Sequence, residues 1–370
     1  MFRQKRKKLL WKEEEERGNV LDCNKIKLTV IIPVYNTSPF LKKCLDSVLE
    51  AKKRVKENIE VLIINDGSTD DSGDIISEYC EKYPLILKRF DKENGGLSDV
   101  KNYGLKRAQG EFVIFLDSDD YIEPEMYYEM LETAEKESAD VVVCDIKLVY
   151  DQEEKNTVWP CAISSRKGNF AQVIDMSMMP ASWNKIVKRS LYHNLSFPVG
   201  KNNEDVAVTP IVLGRAKKIS IVNKPYYNYY QRTGSIQNSG FSEKRFVILE
   251  TAKICDERIQ ELDSDKQEKI RGSVYLHQVL SMAFYPIRLE PFGSRYELLK
   301  KYMKKVYELF PNIWDNYELK EFVTWESRPV RIYRKISVIL LKKKLYLLVS
   351  LFWSICNCVF EYYKKIRKEK

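Results

Sequence analysis

Histidine is nearly missing: the 370-residue chain has two, His193 and His277. That argues against a histidine-rich metal site and a Ser-His-Asp triad, so any metal would rest mainly on oxygen ligands. The eight cysteines are scattered, without the paired spacing of a disulfide framework or a zinc site. Such usage is expected in a reducing compartment. Cys356 and Cys358 lie within an apolar run and read as small hydrophobes. The Gly-x-Gly-x-x-Gly spacing is also missing, which weighs against a dinucleotide-dependent oxidoreductase. No repeat of fixed period occurs, and no low-complexity tract is longer than the N-terminal charge runs. The opening MFRQKRKKLLWKEEEERGN has a basic start without the apolar stretch of a secretory signal, so residues 1–27 read as a charged extension.

What is present is abundant charge and ample core material. Hydrophobic residues make up 44% of the chain and charged ones 31%, enough for one large domain or two modest ones. Basic residues outnumber acidic ones 62 to 53, a net charge of +9. That excess suits an anionic partner (nucleic acid, a phosphorylated substrate or an acidic membrane), although ordinary solubilising charge gives the same balance.

From Leu28 to about Cys144, short β-branched runs alternate with amphipathic stretches. LTVIIP, Val61 to Ile64, LILKRF, FVIFL and VVVCD read as buried strands. The first helix places Leu41, Cys44, Leu45, Val48 and Leu49 on one face, with Thr37 or Ser38 as cap and Pro39 in its first turn. Others follow around Ile75–Cys80, from about Ser98 to Ala108, and after Pro124. Such alternation predicts a mostly parallel sheet with helices on both faces, and ligands then bind beyond the carboxyl ends of the strands. Asn36, Asp66, Asp117, Asp119 and Asp120 all follow strands and are expected in that crevice. Beyond Asp151 the pattern loosens, then becomes mainly helical from about Phe241 to Tyr333.

Three segments carry candidate chemistry. In FLDSDD, Asp117 and Asp119 leave a buried strand one residue apart, as hard divalent cations on diphosphates require; a helix cap or surface turn would also use aspartates there. In NDGSTDDS, Asp66 is placed to accept a hydrogen bond from a base edge, while Gly67 and Ser68 make the tight exit, or the whole is turn and cap chemistry. In ENGGLSDVKNYGL, Gly95 and Gly96 precede a helix whose free N–H groups suit phosphate, with Lys101 adding positive charge. A flexible loop and an exposed lysine are the plainer alternative.

Taken together and in this order, IIPVYN, NDGSTDDS, NGGLSDVKNYG and FLDSDD closely resemble the family 2 glycosyltransferases of GT-A fold. The resemblance is strong over Leu28 to Val143 and weaker over Trp183 to Ile236. It implies that Pro33, Tyr35 and Asp66 line the nucleotide base pocket, with Tyr35 against the base. Asp119 would bind Mn²⁺ or Mg²⁺ on the diphosphate, supported by Asp117. Glu204 and Asp205 in NNEDVAV match the family's acidic pair, making Asp205 the candidate catalytic base and Glu204 an acceptor-side residue; an acid-rich helix start is the alternative. Trp183 resembles an acceptor platform, although a tryptophan is more often simply core, and Arg232 in QRTGSI resembles the basic residue that closes over the diphosphate. Many relatives carry arginine where this chain has Lys101, so bidentate phosphate recognition would be lost there.

The expected layout is a GT-A-like domain at 28–236 (nucleotide-sugar half 28–150, acceptor half 151–236), a helical region at 237–335 and a basic, apolar tail at 336–370. Leu345 to Phe360 is about sixteen residues, short for a span. Its flanking lysines suit an interfacial helix on an anionic leaflet, or a helix docked on the protein itself. The expected activity is inverting, metal-dependent transfer from a UDP-sugar to a hydroxyl of a glycan or lipid-linked glycan in bacterial surface polysaccharide assembly. The enzyme would be cytoplasmic, peripheral at the inner face of the membrane, with no nucleic acid partner. A nucleotidyltransferase or a non-catalytic membrane-associated binding protein are the competing readings. No motif encodes the donor sugar, the linkage or the oligomeric state.

Overall fold

The computed structural model describes residues 25–159, 180–231, 246–280, 286–316 and 328–368. Strand β1 (Ile26–Val34) is buried from Leu28 onward on both faces, which explains its unbroken apolar run. It pairs in parallel with β2 (Asn58–Asn65) on one side and β4 (Phe112–Phe115) on the other, and β2 pairs in parallel with β3 (Leu87–Asp91). Helices α1 (Ser38–Arg54), α2 (Ser72–Lys82) and α3 (Leu97–Arg107) make the connections. The predicted apolar face of α1 is buried, from Leu41 through Leu49. At Gly104 of α3 an added Cβ would lie 2.6 Å from Ile31 and 3.0 Å from Ile64. Glycine thus lets this helix press onto β1 and β2 more closely than a side chain permits.

The start of α1 is capped differently from expectation. Thr37 makes no side-chain cap; its hydroxyl donates to Ser118 Oγ at 2.9 Å. The orphan amides go instead to the loop after β2: Ser38 N–H to Asp70 (2.9 Å) and Thr37 N–H to Ser72 Oγ (3.2 Å). Capping from another loop satisfies the helix and joins the ends of β1 and β2.

The parallel order holds for β3-β2-β1-β4, and the sheet becomes mixed beyond it. The four-residue strand β8 (Lys185–Lys188) lies antiparallel between β4 and β6 (Val141–Val149). Strand β9 (Ile219–Tyr230) runs parallel to β6 with a register shift at Asp145, where the partner is Pro225; proline has no N–H for the ladder. Short β5 (Tyr121–Ile122) edges β9, and β7 (Thr157–Trp159) edges β6, both antiparallel. Helix α4 (Met126–Glu137) packs on β6 and β9.

After α5 (Thr209–Arg215) and β9 the described chain is helical: α6 (Val247–Arg258), α7 (Ser264–Val274), α8 (Phe292–Leu309), α9 (Arg328–Lys342) and α10 (Tyr346–Lys368). The predicted boundary at 335/336 falls inside α9. One face of α10 docks: Trp353 is fully buried and donates its indole N–H to Ser337 Oγ of α9 at 2.8 Å. Arg295 of α8 reaches Ser350 O (3.0 Å) and Ser354 Oγ (2.7 Å).

Candidate active site

Four strand ends and the segment 182–205 build the site. Asp66, at the end of β2, is buried. Its carboxylate accepts from the amides of Gly95 (2.9 Å) and Gly96 (2.8 Å) and from Lys92 Nζ (2.6 Å). These two amides anchor the loop before α3 to Asp66, one step ahead of the helix N–H groups that the sequence offers to a phosphate. A carboxylate has about four acceptor positions, so Asp66 retains capacity for one further donor. Tyr35, just after β1, is 51% exposed, whereas Pro33 lies within the β1–β2 ladder opposite Ile64. Asn36 takes a left-handed φ of 51° and accepts from Thr69 N–H at 2.8 Å. It belongs to the same stitching of loops.

The acidic motif after β4 divides in two. Asp120 does not enter the crevice: it accepts from Tyr227 O–H (2.7 Å) and from Tyr230 N–H (2.8 Å), both on β9. It is a buried strut between this turn and the far half of the sheet. Asp117 and Asp119 are the other two acids of this turn. Burial pushes the Asp117 carboxyl up; Lys101 opposes the shift, Asp119, Asp205 and Glu204 reinforce it, and the outcome is about 7.

Lys101 overturns its sequence reading. It is neither exposed nor aimed at a phosphate but fully buried. Its ammonium donates to Glu204 (2.8 Å), Asp205 (2.8 Å) and Ser182 Oγ (3.1 Å), between the rings of Phe115 and Phe197 at 5.4 and 5.1 Å. Burial works to lower its affinity for the proton, but Asp205, Glu204 and Asp117 outweigh it, so the value is raised and the ammonium stays charged. Glu204 is buried and its carboxyl is raised by desolvation, against the pull of Lys101. The other Asp205 oxygen accepts from Ser182 N–H at 3.2 Å, and its side chain remains 15% exposed. Asp205 is thus held at both oxygens and still reaches solvent.

Trp183 is buried and stacks on Tyr227 with ring centroids 4.3 Å apart. It packs as core behind the tyrosine that holds Asp120. Arg232 lies outside the described residues. Ser182, Lys92 and Tyr227 escaped the sequence reading. Nothing local to any of the three reveals a partner dozens of residues away.

Five charged groups converge here, Asp117, Asp119, Glu204 and Asp205 against Lys101. Such an excess of carboxylates favours a divalent cation. Among the described residues no group of three or more His, Cys, Asp or Glu could hold a metal alone. Asp117 and Asp119 offer the oxygen ligands that a Mn²⁺ or Mg²⁺ ion takes.

Residues 29–202 match the family model described as Glycosyl transferase family 2. The match stops just short of Glu204 and Asp205. Glycosyltransferase GlyA of Streptococcus pneumoniae is 32% identical over 57% of this chain, and that alignment spans 31% of GlyA. The poly(ribitol-phosphate) beta-glucosyltransferase of Bacillus spizizenii is 29% identical over 56% of this chain and 33% of its own length. The chain thus spans about a third of each of these two curated relatives. Among solved structures, S. aureus TarS 1–349 in complex with UDP superposes with a TM-score of 0.55 at 20% identity, covering 82% of this chain and 94% of that one. The likeness establishes the fold.

Proposed function

Because this chain belongs to glycosyltransferase family 2 through residues 29–202, we propose that it transfers a sugar from a UDP-sugar to a glycan or lipid-linked glycan hydroxyl, with inversion. The observation that carries the proposal is Asp205, fixed at both oxygens yet open to solvent beside the strand-end acids. In one displacement, Asp205 takes the proton of the acceptor hydroxyl as its oxygen bonds to the anomeric carbon. The carbon–phosphate oxygen bond breaks, and UDP departs with the electron pair. A fixed base lowers the entropic cost of reaching that geometry.

Asp117 and Asp119 would hold the Mn²⁺ or Mg²⁺ ion, which neutralises charge on the departing diphosphate. Tyr35 would lie against the base, and Asp66 would accept from a base N–H through its remaining acceptor position. The relatives point to surface glycans, one being named for glucosyl transfer to poly(ribitol-phosphate). UDP is the nucleotide in the TarS complex. A nucleotide-sugar donor places the enzyme on the cytoplasmic side of the membrane.

The test is nucleoside diphosphate release from UDP-, GDP- and dTDP-sugars, with Mn²⁺ and with chelator, for wild type and Asp119→Asn. Metal-dependent release from a UDP-sugar, abolished in the variant, is expected. Absence of UDP binding by calorimetry in the presence of Mn²⁺ would overturn the reading.

A further inference from the structure

Helix α9 turns Tyr333, Ser337 and Leu341 inward, where Ser337 meets Trp353 and Tyr333 stacks on Phe352 at 5.7 Å. Ile332, Ile336 and Ile339 face outward, recurring at the spacing of one helical face, and Ile339 is 54% exposed. Helix α10 behaves likewise. Val349, Ser350 and Trp353 are buried, while Leu347, Leu351 and Ile355 form an exposed stripe, Ile355 at 65%. Two helices packed on each other thus leave apolar stripes in water, where burial of such surface is favoured.

Charge selects what covers them. From residue 328 to 360 the chain has no Asp or Glu. Lys335, Lys342, Lys343 and Lys344 are exposed in and just after α9. Beside the turn between the helices, a cleft of about 620 Å³ is lined by Lys300, Lys301, Lys304 and Lys344, against Glu297 and Glu308. A second copy docked through this face would oppose positive charge with positive charge. A nucleic acid would leave the isoleucine and leucine stripes unburied. An anionic lipid surface satisfies both features, taking the apolar stripes into the acyl boundary and the lysines among phosphate headgroups. No helix among the described residues is long and apolar enough to cross a membrane.

We propose that α9 and α10 form a docking face that lies in the interface of an anionic bilayer. The inference does not depend on the transfer reaction. Its test is co-sedimentation of the full chain with phosphatidylcholine vesicles, with and without phosphatidylglycerol as about a third of the lipid. Wild type is compared with Ile336→Asp/Leu351→Asp and with Lys342→Glu/Lys343→Glu. Capture is expected only on phosphatidylglycerol vesicles, weakened by salt and reduced at least about tenfold in either variant. All four positions are exposed, so unchanged thermal unfolding is expected; if the aspartate variant unfolds, the lysine variant decides. Equal capture on both vesicle types, or capture unaffected in the lysine variant, overturns the proposal. So does a wild-type dimer in size-exclusion that the aspartate substitutions convert to monomer, since a second copy then covers the face.

Discussion

The Lys101 ammonium sits 2.8 Å from a carboxylate oxygen of Glu204 and 2.8 Å from one of Asp205, bridging groups 103 and 104 residues away in the chain. A fully buried cation between two acids gains from their charge but has lost its hydration, so the triad constrains geometry more surely than it adds stability. In the proposed transfer, Lys101 is a positioning residue.

Replacing Lys101 by methionine keeps most of the volume and leaves two carboxylates without their cation. The expected loss is about 3–5 kcal/mol, the range for a broken buried pair, read from urea unfolding. A loss below about 1 kcal/mol would mean that Glu204 and Asp205 relax freely into water.

Asp205→Asn preserves shape and removes the base. Turnover should fall about 10²- to 10⁴-fold, while UDP affinity measured by calorimetry stays close to that of wild type. A parallel loss of nucleotide affinity would assign Asp205 to donor binding instead.

Gly96 has φ 81° and ψ 170°, a region only glycine enters without strain. A Cβ there would meet no atom within 4 Å, so Gly96→Ala tests backbone conformation without a clash. A destabilisation of about 1–3 kcal/mol is expected, seen as a lower thermal midpoint. An unchanged midpoint would show that the loop adopts another path.

Asp70 gives the fold an acid-sensitive joint. Burial alone would raise its carboxyl, but hydrogen bonds from Ser72 and Ser38 hold it down at about 2, below the ordinary 3.8. A depressed value means the stabilisation is complete above the ordinary value and is lost as pH falls through the folded one. Between those values wild type should lose stability more steeply than Asp70→Asn, as followed by denaturant midpoints. Parallel slopes would show that the Ser38 and Ser72 amides contribute nothing through this carboxylate.

The amino-acid order by itself determined the strand–helix alternation of the first half, because strands buried on both faces must be continuous apolar runs and their helices must be amphipathic. It also placed Asp66, Asp117 and Asp119 at strand ends, since the topology carries whatever follows a parallel strand to the same edge. The tertiary structure alone decided which of the acids became a buried strut. Asp120 looks like its neighbours in FLDSDD, but β9 returns from more than a hundred residues away and takes it through Tyr227 and Tyr230. Lys101 reads as a surface lysine on a helix turn, until residues 182–205 fold over it and supply three partners. The tail divides in the same way: its apolar composition is written in the chain, whereas which stripe docks and which faces out depends on where Ser337 and Arg295 meet it. Periodicity is local and legible; the partner of a buried charge is a long-range contact that only packing specifies.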